Sequence, residues 1–144
     1  MASFTKVNDF VENAVEAMNL GTDTLAVALS NTAPGSESNN PTADTNGILA
    51  NVTQISYSNC SSRTLTTSSS SQTSGTYKLV LADLTLTASG TVGPFRYIYL
   101  YDDTVTSPAD PLIGLYDYGA SVTLNNGDTF TLDFSPTNGV IQLA

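Results

Sequence analysis

From residue 24 onward the apolar residues of this chain recur at every second position, and that period of two constrains the fold more than any other feature. Leu25, Val27 and Leu29 alternate with Thr24, Ala26, Ala28 and Ser30. Tyr77, Leu79 and Leu81 alternate with Lys78, Val80 and Ala82, and Leu84 and Leu86 follow. Phe130, Leu132 and Phe134 alternate with Thr129, Thr131 and Asp133. Successive strand residues point to opposite faces, so each run marks a strand with one face on a core. In Phe95-Arg96-Tyr97-Ile98-Tyr99-Leu100-Tyr101 both parities are largely apolar, which predicts a central strand covered on both faces.

Punctuation between the runs supports about eight strands between residues 24 and 143. Gly90, Gly93 and Pro94 predict a turn, residues 102–111 with Pro108 and Pro111 predict a surface loop, and residues 112–118 return as the next strand of a hairpin. Asn125-Asn126-Gly127-Asp128 lies between alternating runs and predicts a tight hairpin, because both turn residues tolerate positive φ. Residues 48–57 hold a further strand candidate. The Ser/Thr tract 61–75 reads as an edge strand or a loose loop, and residues 140–143 as a last strand.

Two segments depart from the pattern. Val7, Phe10, Val11, Ala14, Val15 and Met18 fall on one helical stripe, with Asp9, Glu12, Asn13 and Glu16 facing away, so residues 5–19 predict an amphipathic helix. Ser3 or Thr5 would cap it, and a left-handed Gly21 would end it. Residues 31–46 are rich in Ser, Asn, Thr and Pro with nothing apolar to bury, and predict a long exposed loop able to reach a partner. One mainly β domain over 1–144, a β-sandwich or jelly-roll-like fold with one N-terminal amphipathic helix, is the expected architecture.

Composition narrows the function by exclusion. Four Lys and Arg against thirteen Asp and Glu give a net charge of -9, which opposes binding to nucleic acid phosphates. There is no His and one Cys, Cys60, which removes the usual zinc sets, the Ser-His-Asp and Cys-His arrangements and an intrachain disulfide. Charged residues make up 12% of the chain against about 25% in an ordinary soluble domain, so the surface is hydroxylated rather than ionic. The first twenty residues carry Asp9, Glu12 and Glu16 and lack the pattern of an export signal, which predicts synthesis without secretion. The glycosylation patterns at Asn51 and Asn59 then have no role. No apolar stretch reaches the roughly 18 residues needed to span a bilayer, so no membrane partner is expected.

Candidate chemistry is sparse. Asp102, Asp103, Asp110, Asp117, Asp128 and Asp133 show no calcium-loop spacing and read as surface charge in turns. Cys60 has no His to activate it and reads as a small, partly buried side chain. Gly90-Thr91-Val92-Gly93 precedes a Pro and a strand, not a phosphate-binding helix. No catalytic residue, metal or cofactor is therefore expected. Tyr97, Tyr99 and Tyr101, with Tyr116 and Tyr118, form a dense aromatic set that either fills the sandwich or presents a partner-contact face. Arg63 and Arg96 are rare cations that either pair with a local Asp or reach an acidic neighbouring subunit; Arg63, Tyr97, Tyr99 and Tyr101 are the candidate contact residues.

Several phrases carry a family likeness: Phe4-Thr5-Lys6-Val7-Asn8-Asp9-Phe10-Val11-Glu12, Leu20-Gly21-Thr22-Asp23-Thr24-Leu25, Ala28-Leu29-Ser30-Asn31-Thr32-Ala33-Pro34, and Gln72-Thr73-Ser74-Gly75-Thr76-Tyr77-Lys78-Leu79. With Gly93-Pro94-Phe95-Arg96-Tyr97 and Asp110-Pro111-Leu112-Ile113-Gly114, they resemble a family of small virion structural proteins of tailed bacteriophages. The resemblance spans nearly the whole chain and implies a non-enzymatic virion component assembled in the host cytoplasm. It supplies no binding residues. A head decoration or cement protein, homo-oligomeric and bound to the major capsid protein or other virion proteins, is the expected role. The alternative is a tail, baseplate or fibre-associated module, because residues 112–114 and the Asn-Gly turn also resemble fibre-associated β domains.

Overall fold

A computed structural model describes residues 2–144 and is mainly β. In chain order the elements are β1 (Ser3–Lys6), α1 (Phe10–Glu16), β2 (Leu25–Ser30), β3 (Thr67–Thr73), β4 (Thr76–Leu81), β5 (Leu84–Thr87), β6 (Val92–Asp102), β7 (Leu112–Leu124), β8 (Thr129–Leu132) and β9 (Ile141–Leu143), with short 3-10 turns at Pro34–Ser36 and Leu49–Asn51. One four-stranded antiparallel sheet has the order β1-β7-β6-β2. Facing it are a three-stranded sheet, β3-β4-β9, and a two-stranded sheet, β5-β8. The arrangement is sandwich-like, as the alternating patterns require.

The main core lies between these layers. Val27, Leu29, Phe95, Ile98, Leu100 and Ile113 of the four-stranded sheet meet Leu79, Leu81, Leu86, Leu132, Phe134 and Ile141 from the facing strands. A second core covers the other face of the same sheet. There Ala26, Ala28, Tyr97, Tyr99, Tyr101, Leu112 and Leu115 pack with Val7 and Val52, and Ala33 and Leu49 close over them. Thus β6 is central and buried on both faces, as its sequence predicted, and pairs with β7 in the expected hairpin (Tyr99 opposite Leu115). Strand β2 is also buried along its whole length, whereas alternation alone predicted one buried face. Its small residues, Ala26 and Ala28, make room for the tyrosine rings behind them.

The region expected to be a long exposed loop, 31–46, is instead part of the lid over that second core. Pro41 is buried, and the Glu37 carboxylate accepts hydrogen bonds from the amide and hydroxyl of Thr53 at 2.8 Å each. The Asp9 carboxylate accepts from the amides of Thr45 and Gly47, both at 2.8 Å. Polar side chains bonding to backbone amides hold this segment, which is why a search for apolar residues misjudged it. Residues 48–57 form no strand: Leu49–Asn51 is a 3-10 turn, and Ile48 makes only an isolated bridge to Pro111.

The helix is shorter than the 5–19 stripe. Residues 3–6 are drawn into β1, opposite 114–117 of β7, and the helix ends at Glu16 with Ala17 out of helical geometry. Gly21 does not take a left-handed conformation. Of the stripe, Val7 enters the second core and Phe10 the first, Ala14 and Met18 are half-covered, and Val11 and Val15 face solvent. A helix on the rim of a sandwich has only one flank to bury.

Two turn expectations are also corrected. Residues 93 and 94 lie within β6, at an irregularity in its register, rather than in a turn. At 125–128 the Asp128 amide donates to the Asn125 carbonyl (2.9 Å) and only Gly127 has positive φ, as in a type II turn. The chain therefore crosses to the opposite sheet, where β8 pairs with β5, instead of folding back on β7. The primed hairpin occurs at Ser74-Gly75, both at positive φ, joining β3 to β4 so that Thr73 faces Thr76. Residues 67–73 of the Ser/Thr tract are thus an edge strand, while residues 61–66 lie outside any strand.

Candidate functional site

The four residues singled out as partner contacts take structural positions. Tyr97, Tyr99 and Tyr101 are 9%, 0% and 5% exposed and fill the second core, so they offer no contact face to a partner. Of the two readings of the aromatic set, packing describes these three. Burial raises the pKa of the Tyr99 and Tyr101 hydroxyls, and the Tyr99 hydroxyl has no hydrogen-bond partner.

Arg63 seals the outer edge of β2. Its carbonyl accepts from the Val27 amide (3.0 Å) and its guanidinium donates to the Val27 carbonyl, while the guanidinium carbon stacks 3.7 Å from the centre of the Tyr57 ring. The Leu29 amide donates to the Tyr57 hydroxyl (2.8 Å), the Ile55 amide to the Leu29 carbonyl (3.0 Å), and the Leu65 amide to the Leu25 carbonyl (2.8 Å). Segment 55–65 thereby supplies donors and acceptors that a neighbouring strand would otherwise supply. Arg96, by contrast, makes a local pair, one of the two readings left open for it. It donates to both oxygens of Asp117 at 2.7 and 2.9 Å, and that guanidinium holds the Asp117 carboxyl below its ordinary value.

The remaining members of the aromatic set form the best candidate surface. A groove of about 460 Å³ opens at the mouth of the sandwich, between the middle of β7 and the segment from β8 to Ser135. Ile98 forms its floor, and Tyr116, Tyr118, Phe130 and Phe134 its walls. Phe130 lies edge-on to Phe95 (5.2 Å, 82°) and to Tyr118 (5.3 Å, 71°), while Tyr116 packs between Phe4 (4.9 Å) and Phe134 (6.3 Å). Edge-to-face packing fixes these rings without filling the opening. Tyr118 is 48% exposed, and Thr131, Asp133 and Ser135 add polar groups to the rim. Rigid aromatic walls with a polar rim suit one apolar or aromatic side chain from a partner. Sequence reading singled out neither Phe130 nor Phe134 as contacts, although their alternation placed both on one face.

Cys60 is a free, partly buried thiol at a bridge to Ala88, and burial raises its pKa, which keeps it protonated. Among the described residues, no three His, Cys, Asp or Glu side chains come together to hold a metal ion. Asp102 is not the surface charge expected of it; it is fully buried at the end of β6. One carboxylate oxygen accepts from the amides of Thr104 (2.9 Å) and Val105 (3.3 Å). The other faces no donor, and the neighbouring Asp23 carboxyl can bond to it only when one of the two carries a proton. Burial first, and then Asp23, push the Asp102 pKa up to about 6. No helix among the described residues is long and apolar enough to cross a membrane. Compared with protein-family models, curated proteins and solved structures, the chain matches none.

Proposed function

We propose that this chain is a bacteriophage virion structural protein, a head decoration protein that binds the capsid shell and stabilises it without catalysing a reaction. The observation that carries the proposal is the aromatic groove at the sandwich mouth, with half-exposed Tyr118 on a wall that the fold holds rigid. The family likeness of the sequence phrases supports the virion assignment. A doubly covered central sheet supports a load-bearing role, because close-packed cores deform little. In this reading an apolar side chain of the major capsid protein enters the groove, and a homo-oligomer multiplies weak contacts through effective concentration. Since the groove is mainly apolar, binding through it changes little with salt.

Particles lacking the protein, incubated with the purified chain and imaged by averaged electron microscopy, test this. The expected result is density repeated over the head surface, with occupancy lowered at least roughly tenfold by Tyr118→Ser, a loss of about 1.4 kcal/mol or more in binding. The same variant should retain the wild-type melting temperature to within a few degrees. Density at the tail or baseplate would replace the head assignment with that of a tail module. Turnover of host polysaccharide by the purified chain, or no binding to either structure, would overturn both.

A further inference from the structure

Helix α1 is composed against its own stability on the side that faces solvent. Val11 and Val15 are 48% and 83% exposed, one turn apart, although β-branched residues weaken a helix unless packing compensates. Glu12 and Glu16 form a second stripe beside them, a like-charge pair at the spacing where such pairs repel. Glu16 also sits at the carboxyl end of the helix dipole, where a cation would be favourable, and the last turn holds none.

Across the adjoining hollow, about 560 Å³, lie Asp9 and Asp44. Both are fixed: Asp9 by the amides of Thr45 and Gly47, Asp44 by a hydrogen bond from the Asn8 side chain (2.9 Å). Among the described residues the lining thus holds four carboxylates and two exposed valines, and no cation. Apolar exposure, like-charge repulsion and an unmatched helix end are three separate local conflicts. A single kind of partner relieves all three.

We propose that this face docks a basic, aliphatic polypeptide segment, whose side chains cover Val11 and Val15 while its Lys or Arg groups meet Glu12, Glu16, Asp9 and Asp44. Charge complementarity selects this occupant over a second copy of the chain, which carries a net charge of -9 and would bring carboxylates to carboxylates. The surface is separate from the aromatic groove, and binding to it falls with added salt. The proposal does not depend on the virion assignment.

The test is titration of the isotopically labelled full chain with a synthetic peptide of Lys and Leu, followed by amide chemical shifts, with a Glu and Leu peptide as the counterpart. The expected result is that the basic peptide shifts residues 8–16 and 44–45 and the acidic peptide shifts neither. Glu12→Gln with Glu16→Gln, or raising salt to about 0.5 M, should weaken binding roughly tenfold. Val15→Ala should weaken binding while leaving the melting temperature unchanged or raised, because alanine is the better helix former. Shifts spread over all surface carboxylates, shifts at the aromatic groove, no binding, or undiminished binding by Val15→Ala would overturn the proposal.

Discussion

The two edges of the four-stranded sheet meet the same hazard in opposite ways. At the β2 edge, the carbonyl of Leu25 and the amides and carbonyls of Val27 and Leu29 are occupied by segment 55–65, with Arg63 and Tyr57 using side chains where backbone does not reach. At the β1 edge, among the described residues, nothing comparable is laid over the strand. That edge is four residues long, three of them exposed, and it ends in Lys6. Brevity and a cation both discourage a further strand from adding. One edge is closed by occupancy and the other by making it a poor template, so a long apolar edge needs a cover that a short polar one can omit.

The largest way to break this comparison is at Gly114. It lies under the Phe4 ring, where an added methyl group would meet that ring and come within 2.8 Å of the Thr5 carbonyl oxygen. Gly114→Ala should detach β1 and cost about 3 kcal/mol, measured by denaturant unfolding. Loss of amide protection confined to residues 3–7 and their β7 partners would show that the open edge has moved to β7. Next is Arg63→Ala, which removes the donor to the Val27 carbonyl and the stacking on Tyr57. A loss of about 2 kcal/mol is expected, together with concentration-dependent association in light scattering. Unchanged stability and a monodisperse product would mean that segment 55–65 seals β2 without its arginine.

A smaller effect sharpens the sealed side, where Asp102 stands opposite Leu25 at the end of β2. Its folded-state pKa of about 6 exceeds the ordinary 3.8, so the folded protein holds this proton more tightly than the unfolded chain does. The resulting stability is fully present below about pH 4 and is lost as pH rises through about 6. Asp102→Asn should stabilise the protein at pH 7.5 by about 1 kcal/mol and flatten this dependence, because its amide can donate to Asp23 at every pH. Chemical unfolding between pH 4 and 8 decides it; an identical slope in the variant would assign the dependence elsewhere. Smallest in stability is Lys6→Val, within about 0.5 kcal/mol, yet it should promote association at high concentration by removing the charged guard.

What could be read in the sequence follows from which interactions have a local signature. Strands β2, β6 and β7 were legible because their burial imposes a pattern on neighbouring residues. Strand β1 was not: four residues are too few to establish a period, and their partner lies more than a hundred positions away. The role of Arg63 was hidden for a different reason: its partners are a carbonyl on β2 and a tyrosine ring, neither marked by charge. The lid was concealed because Asp9 and Glu37 hold it through amides that every residue possesses. The groove was half legible: Tyr116 and Tyr118 stood out as aromatics, but the crossing at Asn125 to Asp128, which brings Phe130 and Phe134 opposite them, reads from sequence as an ordinary hairpin.

The phenol of Tyr99, shut in the second core beneath Ala33, Leu49 and Val52, gives this protein a built-in optical gauge. With seven tyrosines and no tryptophan, the near-ultraviolet absorbance of the chain belongs chiefly to phenols. Burial holds the Tyr99 hydroxyl far above the ordinary tyrosine value, so this ring resists ionisation in alkali while it stays covered. Its ionisation, together with that of Tyr57, Tyr101 and Tyr116, which burial also raises, therefore reports on how tightly the two cores stay closed, with no label attached.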